Sequence, residues 1–303
     1  MNEGFKSAIS RIIFCAPSRG VPAFGGNNSH DTVTFLDFNI SVIFISTFPI
    51  LLYIVHPAVI AVFIGFDNYV RLFNDSQVWQ ALWNTIQYAV IIVPISIALS
   101  LILAALLNKK IRGRTFYRTL FFMPMVVAPA AIAMVWRWMF NTQFGLLNYL
   151  LGTNIYWISN PELAIFSLSA IGIWGVLGYN MVLFLAALQD VPKDFYEAAR
   201  IDGANAFHQF FKITLPMISP MIFFVAVTRM IATFQLFDLI FMVISVTNPA
   251  LQRTQTLVYL FYRHAFMENN LGYGSAIVVL LLVVILLVTV GQILAQKKWV
   301  HYG

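Results

Sequence analysis

Charge is scarce in this sequence. Asp, Glu, Lys and Arg make up 10% of its 303 residues and hydrophobic types 60%, whereas a soluble domain carries roughly 25% charge. That balance excludes a water-soluble fold of this size. Cysteine is nearly absent too: Cys15 stands alone, which excludes a disulfide framework. Five histidines, at 30, 56, 208, 264 and 301, have no paired spacing, so no metal site is expected. There is no Gly-x-x-x-x-Gly-Lys loop to cradle a nucleotide phosphate. Nor do paired carboxylates, clustered histidines or an activated nucleophile assemble at one depth, as a membrane enzyme would require. The formal charge of +6, in so apolar a chain, reads as positive charge held at a membrane face and not as nucleic-acid affinity.

Apolar runs dominate what remains. Crossing a hydrocarbon core of about 30 Å takes roughly 20 helical residues. Six runs reach that length: Ile40 to Ile64, Thr85 to Leu107, Leu120 to Phe140, Leu163 to Leu188, Ile218 to Val246 and Tyr273 to Ala295. Their continuity favours helices over the short alternating strands of a barrel. The expected fold is all-α, a polytopic membrane protein with about six transmembrane helices. Residues 1-38 hold no uninterrupted apolar run and read as a tail, with a transmembrane domain over 39-303. Of the 18 Lys and Arg, 13 fall in the tails and in the loops 109-118 and 190-220, three on the other side and two within spans. The side richer in Lys and Arg is cytoplasmic by the positive-inside rule, which places both termini there. Asp67 to Trp83 reads as an interfacial helix on the outer surface, buried through Tyr69, Leu72, Phe73, Val78, Trp79, Leu82 and Trp83. Asn141 to Pro161 reads as an external loop with aromatic residues at headgroup level.

The loop Asp190 to Pro220 is long for so economical a chain. Pro192 followed by Asp194 and Glu197 suits a helix start, and Ala198-Ala199 favours helix. Gly203 permits a tight bend, and Ala206 to Lys212 can form a second short helix that Leu215-Pro216 terminates. The expected product is a helix-turn-helix bulge; a plain surface linker is the competing reading.

These residues carry a resemblance. Glu197-Ala198-Ala199, three residues, Gly203, nine residues, then Ile213-Thr214-Leu215-Pro216 resembles the EAA loop of permease subunits in binding-protein-dependent ABC importers. The similarity runs from Gly65-Phe66-Asp67-Asn68-Tyr69 to the C-terminus, through Arg112-Gly113, Phe122-Met123-Pro124 and Gly145-Leu146-Leu147-Asn148, and points to the maltose-type carbohydrate branch. The chain departs from the pattern at Thr247-Asn248-Pro249, where a glycine-glycine-proline turn is usual, and across its first 64 residues. The resemblance implies a multi-pass subunit of the bacterial plasma membrane with no cofactor of its own. ATP and Mg would sit on a dimer of partner ATPase subunits. Further partners would be a second permease subunit and an extracytoplasmic solute-binding protein that delivers the sugar. Glu197, Ala198, Ala199, Asp202, Gly203, Leu215 and Pro216 would make the ATPase contact, with Phe195, Tyr196, Ile201 and Phe207 as apolar anchors.

By the same resemblance, substrate-lining positions match Gly172, Gly175, Val176 and Tyr179 in the fourth span and Arg229, Thr233 and Leu236 in the fifth. Arg229 is a costly intramembrane charge that faces a cavity or a partner, and Thr233 and Leu236 follow it at helical spacing. It can equally pair with the partner permease or a carbonyl, and the glycines can equally serve helix packing. A guanidinium favours an acidic sugar but also bonds neutral hydroxyls, so neutral and acidic cargoes both stay open. A secondary transporter or channel acting without an ATPase is the competing function; it would show several intramembrane carboxylates or inverted repeats, and only Asp238 qualifies.

Overall fold

The computed structural model describes residues 53–55, 61–63, 65–109, 112–297 and 300. The expected tail 1–38 and most of the expected first span lie outside the described residues. The described pieces of that span, β1 (Tyr53–Val55) and β2 (Ala61–Phe63), pair antiparallel with Tyr53 opposite Phe63, so they do not continue a helix.

Helix α1 (Asp67–Asn74) is separated from α2 (Ser76–Asn108) by Asp75, whose carboxylate accepts from the Gln77 amide at 2.9 Å and caps α2. This corrects the expected interfacial helix. Val78 to Trp83 form the first turns of the spanning helix, while Leu72 and Val78 are buried and Phe73, Trp79 and Trp83 exposed. At 1.5 Å per residue the 33 residues of α2 measure about 50 Å, so the helix projects beyond an apolar core of about 30 Å.

Helices α3 (Arg114–Val126) and α4 (Pro129–Met139) meet at 100°. Pro129 starts α4 and denies α3 the residue before it in helical geometry. After the short α5 (Leu146–Leu151), α6 (Ala164–Asp190) runs unbroken. Next come α7 (Lys193–Ile201) and α8 (Ala206–Gln209), which passes through a π-helical turn (Phe210–Thr214) into a last turn, Leu215–Met217. A bend of 65° at Ile218 then leads into α9 (Ser219–Phe234). Pro216 therefore does not end the second helix of the loop as expected. It lacks the N–H that would bond Lys212 and crowds that carbonyl; the wider π turn lies just before it, and the break follows two residues later.

The expected fifth span is likewise divided: α9 ends at Phe234 and α10 (Asp238–Val243) follows. The Thr256 hydroxyl donates to the Leu236 carbonyl at 2.7 Å and holds the break open. Helices α11 (Leu251–Thr254) and α12 (Leu257–Tyr262) re-enter beside α2, where the buried Asn84 amide donates to the carbonyls of Gln252 and Gln255 at 2.9 and 3.0 Å. These bonds satisfy irregular backbone at membrane depth. The last helix is α13 (Leu271–Gln296). Three helices, α2, α6 and α13, are long and apolar enough to span a membrane, and the two bent pairs raise the number to five among the described residues.

Three apolar clusters order the bundle. One end is packed by Leu101, Leu107, Phe184, Leu188, Val191, Ile218 and Val225, so the 190–220 loop hangs from the end where α2 and α6 finish. The opposite end holds two clusters, one built on Tyr88, Ile92, Ile171 and Ile240, the other on Leu72, Phe234, Leu257 and Tyr273.

Candidate functional site

The 190–220 loop folds as two helices about one turn. Gly203 has φ +77, the left-handed region, and the amides of Gly203 and Ala204 bond the carbonyls of Arg200 and Ala199 at 3.1 and 2.8 Å, closing the C-terminus of α7. Asn205 then accepts from the His208 amide at 2.8 Å and caps α8. A cleft of about 430 Å³ runs along the turn, lined by Ala199, Asp202, Gly203, His208 and Lys212. Of the residues implied by the resemblance, Glu197, Ala198, Asp202 and Gly203 are exposed, while Ala199, Leu215 and Pro216 are half-buried. Large apolar side chains share this surface: Ile201 is 87% and Phe207 74% exposed, with Phe195 and Phe211 beside them. Tyr196 turns the other way and bonds the buried Thr214 at 2.9 Å. The loop is thus internally tied and outwardly apolar.

Inside the bundle, Arg229 and Tyr179 come together: the guanidinium carbon of Arg229 lies over the Tyr179 ring, 5.0 Å from its centroid. Both residues are half-buried, between the clusters that mark the two ends. Arg229 Nε is buried without a hydrogen-bond partner. Ion pairs among the described residues are Arg263–Glu268 and His264–Glu268, so none of them engages Arg229. Thr233 sits one turn along α9, but its hydroxyl donates to the Arg229 carbonyl at 2.7 Å, committed to the backbone. Leu236 does not share this helical face, because α9 ends two residues before it; it packs against the cluster around Ile240.

On α6, Gly172, Gly175, Val176 and Tyr179 form one stripe at helical spacing. Gly172 packs on α2, where an added Cβ would lie 3.0 Å from Ile92 Cδ1, whereas beside Gly175 there is open space. Gly178 makes the closest approach: a Cβ there would overlap the Phe121 carbonyl of α3. Asn180, next to Tyr179 on the same helix, has both its amide atoms buried without partners. An apolar cavity of about 380 Å³ lies in the crook between α3 and α4, lined by Phe121, Pro124, Trp136 and Trp174 among others. None of the stripe residues lines it.

At the opposite end, the buried Asn148 organises residues 142–157. It donates to the carbonyls of Thr142 and Ile155 at 3.1 and 3.0 Å and accepts from Trp157 Nε1 at 2.8 Å and the Ile155 amide at 3.3 Å. Among the described residues no group of three or more His, Cys, Asp or Glu could hold a metal ion.

Residues 96–299 match the family model for the binding-protein-dependent transport system inner membrane component. The sn-glycerol-3-phosphate transport system permease protein UgpA of Escherichia coli (strain UTI89 / UPEC) is 36% identical over 244 residues, covering 79% of this chain and 82% of the relative. Its counterpart in Agrobacterium fabrum is 36% identical over 246 residues, 80% of this chain and 83% of the relative. In fold, the chain is similar to a bacterial ABC transporter involved in the import of the acidic polysaccharide alginate, with TM-score 0.77 at 18% identity over 98% of this chain and 99% of the other. A chain of an alginate ABC transporter in complex with an alginate pentasaccharide-bound periplasmic protein superposes with TM-score 0.73 at 22% identity, over 79% and 85%. With two thirds of its length inside the family model and such relatives beside it, the chain belongs to the inner membrane components of binding-protein-dependent transport systems.

Proposed function

We propose that the chain is one of two membrane subunits of an ATP-driven importer for a sugar or related polyol, handed over by an extracytoplasmic binding protein. ATP and Mg belong to a pair of partner ATPase subunits, and the 190–220 loop is their docking element, on the cytoplasmic side with both termini. The observation that carries this reading is the loop itself: a glycine-hinged pair of helices with Ile201 and Phe207 exposed and with Tyr196 bonded to Thr214. Apolar side chains held in open solvent on a rigid support mark a protein-protein contact. Relatives named for sn-glycerol 3-phosphate support a polyhydroxylated cargo.

The chain's own geometry supplies a route for coupling. The Tyr196–Thr214 bond makes α7 and the π turn one body, and the turn Leu215–Met217 with the 65° bend at Ile218 joins this body to α9, which carries Arg229. Displacement of the docked loop by closure of the ATPase pair therefore acts directly on α9 and rocks it against α6. Arg229 and Tyr179 line the path, with Gly175 and Val176 on the same face of α6. Thr233 supports Arg229 from behind.

Coexpression and purification with the ATPase subunits test the reading. The assembled wild type retains the ATPase and takes up labelled cargo, and Gly203→Asp inserts normally yet loses both. Full uptake by Gly203→Asp at normal expression would remove the loop from the coupling role.

A further inference from the structure

Arg229 is a cation within the helix bundle without a counter-ion among the described residues. It lies on α9 between Val225, packed at the loop end, and Phe234, packed at the other. Nine acids are described. Asp67, Asp75, Glu162 and Glu268 sit at the opposite end, and Asp190, Asp194, Glu197 and Asp202 on the loop. Asp238 lies beyond the break after Phe234, exposed. None forms an ion pair with Arg229. A guanidinium at such depth is costly unless something answers its charge.

The surroundings also fix how it can be answered. Tyr179 lies against the guanidinium, 5.0 Å from ring centroid to Cζ, a cation–π distance that leaves the N–H donors of Arg229 uncommitted to any acceptor among the described residues. Nε is buried without a partner. Thr233, one turn along the helix, is turned to the Arg229 carbonyl, and the adjacent Thr228 donates to the Phe224 carbonyl, so neither hydroxyl bonds the guanidinium. Gly175, one turn from Tyr179 on the same face of α6, leaves open space where a side chain would stand. The arrangement is a planar donor fork beside an aromatic face and a gap, which suits a carboxylate or phosphate carried on a sugar or polyol.

We infer that Arg229 and Tyr179 form an anion subsite in the translocation path, so that the cargo is an anionic sugar or polyol and not a neutral one. The inference rests on the path proposed above. The guanidinium edge takes two oxygens of the cargo's acidic group, and the Tyr179 ring holds the guanidinium in place. Ligand entry supplies the counter-charge that no described residue provides.

The test uses the assembled importer, with partner permease and ATPase subunits, in nanodiscs of phosphatidylcholine alone. Four probes are titrated: sn-glycerol 3-phosphate, an alginate trisaccharide, glycerol and maltotriose. Arms with phosphate and with carboxylate separate the two sources of anion. The expected result is saturable binding of at least one acidic probe, weakened about tenfold or more by Arg229→Gln. Arg229→Lys, which keeps charge but loses the fork, should weaken it less, and Tyr179→Ala should weaken it too. Neutral probes should not respond to Arg229→Gln. If Arg229→Gln and Tyr179→Ala both weaken neutral and acidic probes alike, the path stands and the anion subsite falls. If acidic probes bind and neither variant matters, the path itself is misplaced. Three further outcomes overturn the subsite: no acidic probe binds; Arg229→Gln releases the partner permease on size exclusion while Tyr179→Ala does not; or added phosphatidylglycerol displaces the probe from the wild type but not from Arg229→Gln. The second of these would assign Arg229 to pairing between subunits, and the third to a lipid headgroup.

Discussion

The Tyr196 hydroxyl lies 2.9 Å from Thr214 Oγ1, joining two side chains 18 positions apart across the helix-turn-helix of the 190–220 loop. Thr214 is buried, so this bond is made away from water and fixes α7 against the π turn. Removing it with Tyr196→Phe keeps the ring and costs about 1 kcal/mol. The expected outcome is a complex that still assembles but couples poorly: ATP hydrolysis continues while uptake per ATP falls. Unchanged uptake per ATP in Tyr196→Phe would show that the loop transmits force without this tie.

Gly203 is a backbone requirement, since φ +77 strains any residue bearing a Cβ although nothing crowds the position. Gly203→Ala should destabilise the turn by about 1 to 2 kcal/mol, lowering ATPase retention without reducing insertion. Because space is open there, Gly203→Asn, which tolerates the left-handed region, should retain more ATPase than Gly203→Ala.

Gly178 is limited by space. A Cβ would overlap the Phe121 carbonyl, which is backbone and cannot swing aside. Gly178→Ala should therefore push α3 from α6 and lower the thermal stability of the purified complex, whereas Gly175→Ala, with open space beside it, should not. Equal melting temperatures for the two variants would contradict the close approach of α3 and α6.

His264 should make the opposite end pH-sensitive. Burial holds its imidazole below the ordinary value near 6.5, with Glu268 opposing and Arg263 and Arg71 assisting. Nδ1 lies 2.6 Å from the Glu268 carboxylate and Nε2 is buried without a partner, so protonation would place an N–H where nothing accepts it. Tyr273, packed edge-on at 4.9 Å, bonds Asp75 of the α2 cap, so the disturbance reaches the start of α2. Because the folded-state value is depressed, the stabilising contribution is complete above about pH 6.5 and is lost as pH falls toward the folded value. Hydrogen exchange over 257–273 should rise below pH 6.5, and His264→Phe should flatten that dependence.

Five of the six expected spans were legible in place, as three long helices and two bent pairs among the described residues, because apolar runs of about 20 residues have no other stable use. Expected ends at Leu163 and Leu188, or Tyr273 and Ala295, fall within a few residues of α6 and α13. The breaks were not legible. Leu236 was assigned to Arg229's face by spacing, yet α9 stops because a threonine 20 positions away holds the Leu236 carbonyl, and hydropathy carries no record of such a bond. Asn84 likewise looked like an ordinary polar residue at a helix start, and its task is to receive backbone 168 and 171 positions later. In the site, the exposed face of the loop followed from its motif. That Arg229 and Tyr179 share one cavity was implied by the family resemblance alone, since those residues lie on different helices and no spacing relates them.

Docking of an ATPase on the 190–220 loop is tested most directly by photo-crosslinking. A benzophenone amino acid is placed at Ile201 or Phe207 on the loop, or at Tyr149 at the opposite end, all three well exposed, in cells that carry the complete transport system. Ultraviolet light should yield an adduct of this chain with the ATPase subunit from Ile201 and Phe207 and none from Tyr149. No ATPase adduct from either loop position, or an adduct from Tyr149 alone, would contradict the coupling role of the loop.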